Sequence, residues 1–197
     1  MRTAMAALAL VAAQARGAPE TFVIEPAHTF PYFEVSHLGI STHRGRFERT
    51  SGDIVLDRET GTGSIDIAID TSQVSTGSGM LDALLKGEDF FNTARFPVMT
   101  FRARTIAFEG GVPKSALGEF TLLGVTRPLA LGIVHFGCTR LPFLVQLTCG
   151  ANVEARIKRS DFGMTSYSAF VGDEVKLVIQ IEAVRQEPAA QPAPPGG

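Results

Sequence analysis

The sequence predicts an all-β domain with one short helical segment, folded as a closed antiparallel barrel or a sandwich. Three observations lead there. "SIDIAID" alternates strictly, with Ile65, Ile67 and Ile69 on one face and Asp66, Ala68 and Asp70 on the other. A period of two belongs to a strand that is buried on one side and wet on the other. "DEVKLVIQIEAV" repeats the pattern through Val175, Leu177, Ile179 and Ile181, and "VMTFRARTIAF" through Met99, Phe101 and Ala103. Turn chemistry separates such runs at Asp57-Arg58-Glu59-Thr60-Gly61, Glu109-Gly110-Gly111 and Gly172-Asp173.

Taken in order, the chain opens on Arg2 and an uncharged apolar run, Ala4 to Ala13. Ala13-Gln14-Ala15 or Ala15-Arg16-Gly17 then offers a small-x-small site, so residues 1–17 read as a signal peptide cleaved on export. The run is shorter than the roughly 20 apolar residues of a transmembrane helix, and no membrane span is predicted. It also lacks the polar face of an amphipathic anchor. Further strands are expected at 21–24, 31–37, 47–56, 117–123, 128–136 and 144–157. Pro31 and Pro128 suit strand starts or edges, because proline donates no ladder hydrogen bond. "SGMLDALLKGEDFF" breaks the rhythm: Met80, Leu81, Leu84 and Leu85 recur at helical spacing, and Gly87 limits the segment. The end, "EPAAQPAPPGG", holds four prolines and no apolar periodicity, so residues 187–197 read as a disordered tail. One domain, 18–186, lies between.

Composition narrows the function. The 197 residues, 45% of them hydrophobic, suffice for one well-packed domain. A formal charge of -2 leaves no basic footprint, so no nucleic acid partner is predicted. Fourteen Phe against two Tyr and no Trp make an interior with few polar handles, which suits a greasy core better than a catalytic one. Export changes how Cys138 and Cys149 read. In an oxidising compartment they are expected to pair across a turn at Leu141-Pro142-Phe143, with two buried free thiols as the alternative. Their spacing is unlike the Cys-x-x-Cys of redox catalysts.

The motifs argue against chemistry. "RSDFGM" contains the Asp-Phe-Gly that holds magnesium in protein kinases, but no glycine-rich phosphate loop accompanies it. Asp161 is instead expected to form a turn by accepting backbone hydrogen bonds, with Gly163 in a conformation bulkier residues avoid. No G-x-S-x-G elbow occurs, and the carboxylate pairs Glu88-Asp89 and Asp173-Glu174 are adjacent residues that point apart. No catalytic residue is assigned, and the protein is not expected to be an enzyme. His28, His37 and His43 are candidate metal ligands by proximity alone. Strand parity puts His37 and His43 on one face and His28 on the other, and no familiar zinc spacing completes the set. No metal site is assigned. His37 is expected to line an interior with its ring hydrogen-bonded.

Four blocks in order resemble one family. "FVIEPAHTFPYFEVSHLGISTHRGRF" is similar to the opening strands of YceI-like proteins, and "LDALLKGEDFFNTARFPVMTFRA" to their helix and following strand. "GEFTLLGVTRPLAL" resembles their Gly-x-Leu-Thr-x-x-Gly-Val-Thr-x-Pro stretch, and "RIKRSDFGM" with "VGDEVKLVIQIEA" their closing strands. The match runs from Phe22 to Val184. The pattern departs at Phe22 for Tyr, at Glu25 for Asp, at Pro31, and in "TSYSAF", which lacks the Trp many relatives carry.

The resemblance implies an antiparallel eight-stranded lipocalin-like β-barrel, exported to the periplasm, that binds a polyisoprenoid or similar long-chain lipid. It assigns no cofactor; the expected partner is an isoprenoid lipid, bound and released without covalent chemistry, of which an isoprenoid quinone is one candidate. In such a barrel, inward apolar side chains leave room for one small ligand. Phe33, Val35, His37, Phe101, Phe120, Phe162, Met164 and Phe170 are the cavity candidates. A His-based metal protein or enzyme, and a stress-response module whose core is filled by its own side chains, are the alternatives. No apolar stripe marks a dimer interface, which leaves a homodimer open.

Overall fold

The computed structural model describes residues 18–140 and 146–187. The predicted signal peptide and all but the first residue of the predicted tail lie outside them.

Eleven strands form one sheet: β1 (Glu20–Ile24), β2 (Phe30–His37), β3 (Ser41–Phe47), β4 (Thr50–Asp57), β5 (Thr62–Asp70), β6 (Val74–Ser75), β7 (Val98–Glu109), β8 (Val112–Leu122), β9 (Val125–Arg140), β10 (Leu147–Lys158) and β11 (Val171–Arg185). The order is β1-β4-β5-β7-β8-β9-β10-β11-β2-β3-β6, and pairing of β1 with β11 closes the ring. Three of the barrel strands are bent. β1 and β2 run on through a 3-10 turn at Pro26–His28, β3 and β4 through Glu48 and Arg49, and β5 and β6 through Thr71–Gln73. Joined across those bends, the eleven segments make a closed antiparallel barrel of eight strands.

The alternation expected from sequence sets the walls. Ile65, Ile67 and Ile69, Met99 and Phe101, and Leu177, Ile179 and Ile181 all face the interior. Asp66 and Arg102 on the opposite face pair across β5 and β7, Nε to Oδ1 at 3.1 Å. The pair is exposed and contributes at most about 1 kcal/mol.

The break at Glu48 and Arg49 differs from the single strand expected at 47–56, and the strand Ser41–Phe47 was not separately expected. Gly45 hides its alternation. Phe33 sits directly opposite Gly45 in the ladder, and a Cβ there would come within 2.4 Å of the Phe33 ring. The missing side chain is therefore the space that the aromatic fills.

A threonine is buried at each bend, and at two of the three its hydroxyl replaces ladder hydrogen bonds that the bend forfeits. Thr29 Oγ1 donates to Glu182 O and accepts from Glu182 N, both at 3.0 Å, and Thr71 Oγ1 donates to Phe96 O at 2.7 Å. Thr50 Oγ1 is buried with no hydrogen-bond partner among the described residues. An orphaned hydroxyl carries its desolvation penalty uncompensated. Thr50→Val is therefore expected to leave stability unchanged or raise it by up to about 1 kcal/mol in denaturant titrations, whereas Thr29→Val should lower it.

The helix α1 (Gly79–Lys86) starts where the Ser78 hydroxyl accepts from Leu81 N and stops at Gly87, as the spacing predicts. It lies at the barrel end that also carries the turns after β2 and β10. The opposite end holds the turns after β4 and β7. There Cys138 and Cys149 are directly paired across β9 and β10 and joined as a disulfide, with 4.0 Å between their Cα atoms. Reduction, or Cys138→Ala with Cys149→Ala, is expected to lower stability by about 2–3 kcal/mol, measured as a fall in Tm.

Candidate functional site

The barrel is hollow. A cavity of about 490 Å³ runs inside it, within the size range of small-molecule sites. Its wall is built from the inward residues of every barrel strand. Toward the disulfide end it is lined by Leu56, Ile106, Pro113 and Cys149, which are buried, and by Ile133 and Phe136, which are half-buried. The exposed lining residues are Arg44, Leu84, Tyr167 and Phe170, all at the α1 end. Among the described residues the mouth is therefore there, and the deep end is apolar.

Among the described residues no acidic side chain lines the cavity; the titratable groups on its wall are His37, His43, Arg44, Arg159 and Tyr167, all near the mouth. His37 and His43 stack with ring centroids 4.2 Å apart. Strand parity explains this, since His43 lies opposite Val35 and His37 is two residues further on the same face. The expected ring hydrogen bond on His37 is absent among the described residues: stacking against His43 holds the ring instead. His28 ends its 3-10 turn on the outside, 3.9 Å from Glu182. The three histidines thus do not converge, and among the described residues no group of three or more His, Cys, Asp or Glu could hold a metal.

"RSDFGM" holds the mouth together through a residue the sequence reading passed over. Arg159 is buried, and its guanidinium makes four hydrogen bonds, all to backbone carbonyls: Nε to Gly172 O at 3.0 Å, Nη1 to Met164 O at 2.9 Å and Ser166 O at 2.7 Å, and Nη2 to Val171 O at 3.0 Å. The segment from Met164 to Gly172 is folded around this one side chain. Gly163 takes φ +83, the left-handed conformation expected of it. Asp161 does not play the expected capping part. Asp173 does, accepting from Ser160 N at 3.0 Å and Ser160 Oγ at 2.8 Å. The Ser160 amide and hydroxyl hold the Asp173 carboxyl below its ordinary range, with Arg159 and Lys158 adding a smaller attraction.

Of the cavity candidates, Phe33, Val35, His37, Phe101, Phe120, Met164 and Phe170 stand on the wall. Phe162 does not. It is buried behind the wall, packed edge-on against Phe120 with centroids 5.5 Å apart, because the 3-10 turn at Arg159–Phe162 carries it under the barrel rim. Leu84 and Tyr167 complete the mouth: Leu84 carried the helical spacing but nothing that tied the helix to the cavity, and Tyr167, at φ +58 in an irregular segment, had no periodic signal at all.

A family model for the YceI-like domain matches residues 22–183. The chain belongs to the YceI-like family. Protein YceI of Salmonella arizonae is 31% identical over 164 residues, 83% of this chain and 85% of the relative. The Campylobacter jejuni YceI protein superposes with a TM-score of 0.65 at 26% identity, covering 77% of this chain and 90% of its own. A polyisoprenoid binding domain from Saccharophagus degradans, implicated in plant cell wall breakdown, gives 0.60 at 15% identity over 84% of this chain and 98% of its own. At that identity the likeness concerns the fold. The Asp-Phe-Gly of this YceI-like chain is a corner of a barrel.

Proposed function

We propose that this YceI-like protein binds one long-chain isoprenoid lipid, with the apolar tail toward the disulfide end and the polar head at the mouth. The observation that carries the reading is the asymmetry of the cavity among the described residues: an apolar depth, and titratable groups gathered where it opens. Each methylene moved from water into such a wall is worth roughly 0.8 kcal/mol, against which chain ordering and association must be set. Phe33, Val35, Phe101, Phe120 and Met164 would touch the chain, and His37 and Phe170 the end nearer the head. His37 and His43 carry ring nitrogens that could bond a quinone carbonyl or a hydroxyl. The name of the Saccharophagus degradans domain supports the same ligand class. The proposed action is binding and release, with no covalent step, in the periplasm. The apolar N-terminal segment and the disulfide support that location.

The test is to purify the protein without added lipid, extract it with solvent and identify the extract by mass spectrometry. A prenyl-chain lipid at constant ratio is expected, and a stripped sample should gain thermal stability on adding a prenyl quinone, since a ligand that binds only the folded state must raise it. A barrel that is always empty and indifferent to prenyl lipids would overturn the reading.

A further inference from the structure

The mouth is ringed by three segments that hold one another. Leu38 N donates to Phe170 O at 2.7 Å, tying the β2–β3 turn to the segment after Gly163. Tyr167 in that segment stacks on Phe90 at 5.6 Å, and Ser166 Oγ donates to Asp89 Oδ1 at 2.8 Å, tying it to the residues that follow α1. Thr76, just ahead of α1, bonds Asp82 through its amide and its hydroxyl, both at 2.7 Å, and its methyl lies beside Gly45 of β3. The ring is thereby closed.

Its outward side chains are large and apolar. Ile40 is 83% exposed and Met80 85%, with Leu38, Leu84, Tyr167 and Phe170 also exposed. Met80 and Leu84 are one helical turn apart on the outer side of α1, while Leu81 and Leu85 turn into the barrel. The β2–β3 turn, Leu38-Gly39-Ile40-Ser41-Thr42, carries no charge. Single apolar side chains are exposed elsewhere, as at Leu117 and Val134, but six gathered at one end of the barrel form a cluster, and such a cluster marks a surface that something covers.

Continuity with the cavity says what. Leu84, Tyr167 and Phe170 belong both to the exposed ring and to the cavity wall. A chain leaving the interior would pass over them without meeting water only if the ring lay against an apolar medium. A protein seated on the ring would seal this opening, whereas a bilayer both covers the ring and supplies the cargo. We propose that the mouth docks onto a lipid bilayer surface, Ile40 and Met80 entering the interface between headgroups and acyl chains, as the apolar faces of interfacial helices do. The proposal rests on the lipid-carrier reading for its purpose, though its geometry stands without it.

Ile40 and Met80 do not line the cavity, which separates docking from binding. The experiment compares the wild type with Ile40→Ser/Met80→Ser in three assays: flotation with phosphatidylcholine vesicles, transfer of a prenyl quinone between vesicles, and quinone affinity in dilute detergent. The wild type should float, and the double variant should lose flotation and transfer at least tenfold with detergent-phase affinity and Tm unchanged. A wild type that stays with the aqueous phase, or a variant that floats and transfers like it, overturns docking. So does a wild-type dimer in light scattering that the substitutions dissolve, since the ring would then be an interface between two copies. If the wild type floats but binds no quinone in detergent, docking stands and the ligand assignment falls instead.

Discussion

Arg159→Met is expected to lower the stability of the protein by about 3–5 kcal/mol and its Tm by about 10 °C. Methionine fills similar space but brings no donor. Four carbonyls, of Met164, Ser166, Val171 and Gly172, lose the guanidinium that now satisfies them. A buried acceptor left alone costs on the order of 1–3 kcal/mol, and carbonyls that can swing toward water recover part of it. Arg159→Lys should fall between, because one ammonium cannot reach carbonyls spread around a planar fork. Since those carbonyls belong to the segment bearing Tyr167 and Phe170, lipid release from Arg159→Met should also quicken. Thermal unfolding with a dye that binds exposed apolar surface reads the first effect. A variant as stable as the wild type would show that the segment is held by other contacts.

Ala151→Phe should shorten the lipid the barrel accepts. Ala151 lines the deep part of the cavity, opposite Phe136 on one side and Ile181 on the other, away from every polar group of the mouth. A phenyl ring there takes room that the far end of a chain would use. If three methylenes are displaced, at roughly 0.8 kcal/mol each the loss is about 2.4 kcal/mol, or some 50-fold in affinity. Chains short enough to stop before the ring should bind as before, so a series of prenyl quinones of increasing length should show the drop only for the longer ones. An equal loss for all lengths would place the tail elsewhere.

What was legible in the sequence follows from where a single rule applied. Strands with one wet face wrote their orientation into alternation, so Ile65, Phe101 and Leu177 could be placed inward from the sequence. His37 and His43 were given a shared face by counting along one continuous strand, whereas the structure puts them on β2 and β3, where cross-strand pairing brings their rings together. The rule is silent in three places. It does not see a bend, so Glu48 and Arg49 were read through as strand. It does not see a space left for a neighbour, which is what Gly45 is. It also does not rank the members of a turn: Asp161 drew the eye in "RSDFGM", while Arg159 does the holding and Asp173, on the next strand, does the capping.

From sequence alone the family, the barrel and its apolar inner faces were determined, because period-two burial and ordered motifs are properties of consecutive residues. The cysteines were placed for pairing on the same local grounds. Only the tertiary structure decided that the interior stays hollow, that it opens at the α1 end, and that Phe162 stands behind the wall. Those depend on how far apart the faces of eight strands are held, and on which residues distant in sequence meet at the rim. No local pattern records either distance.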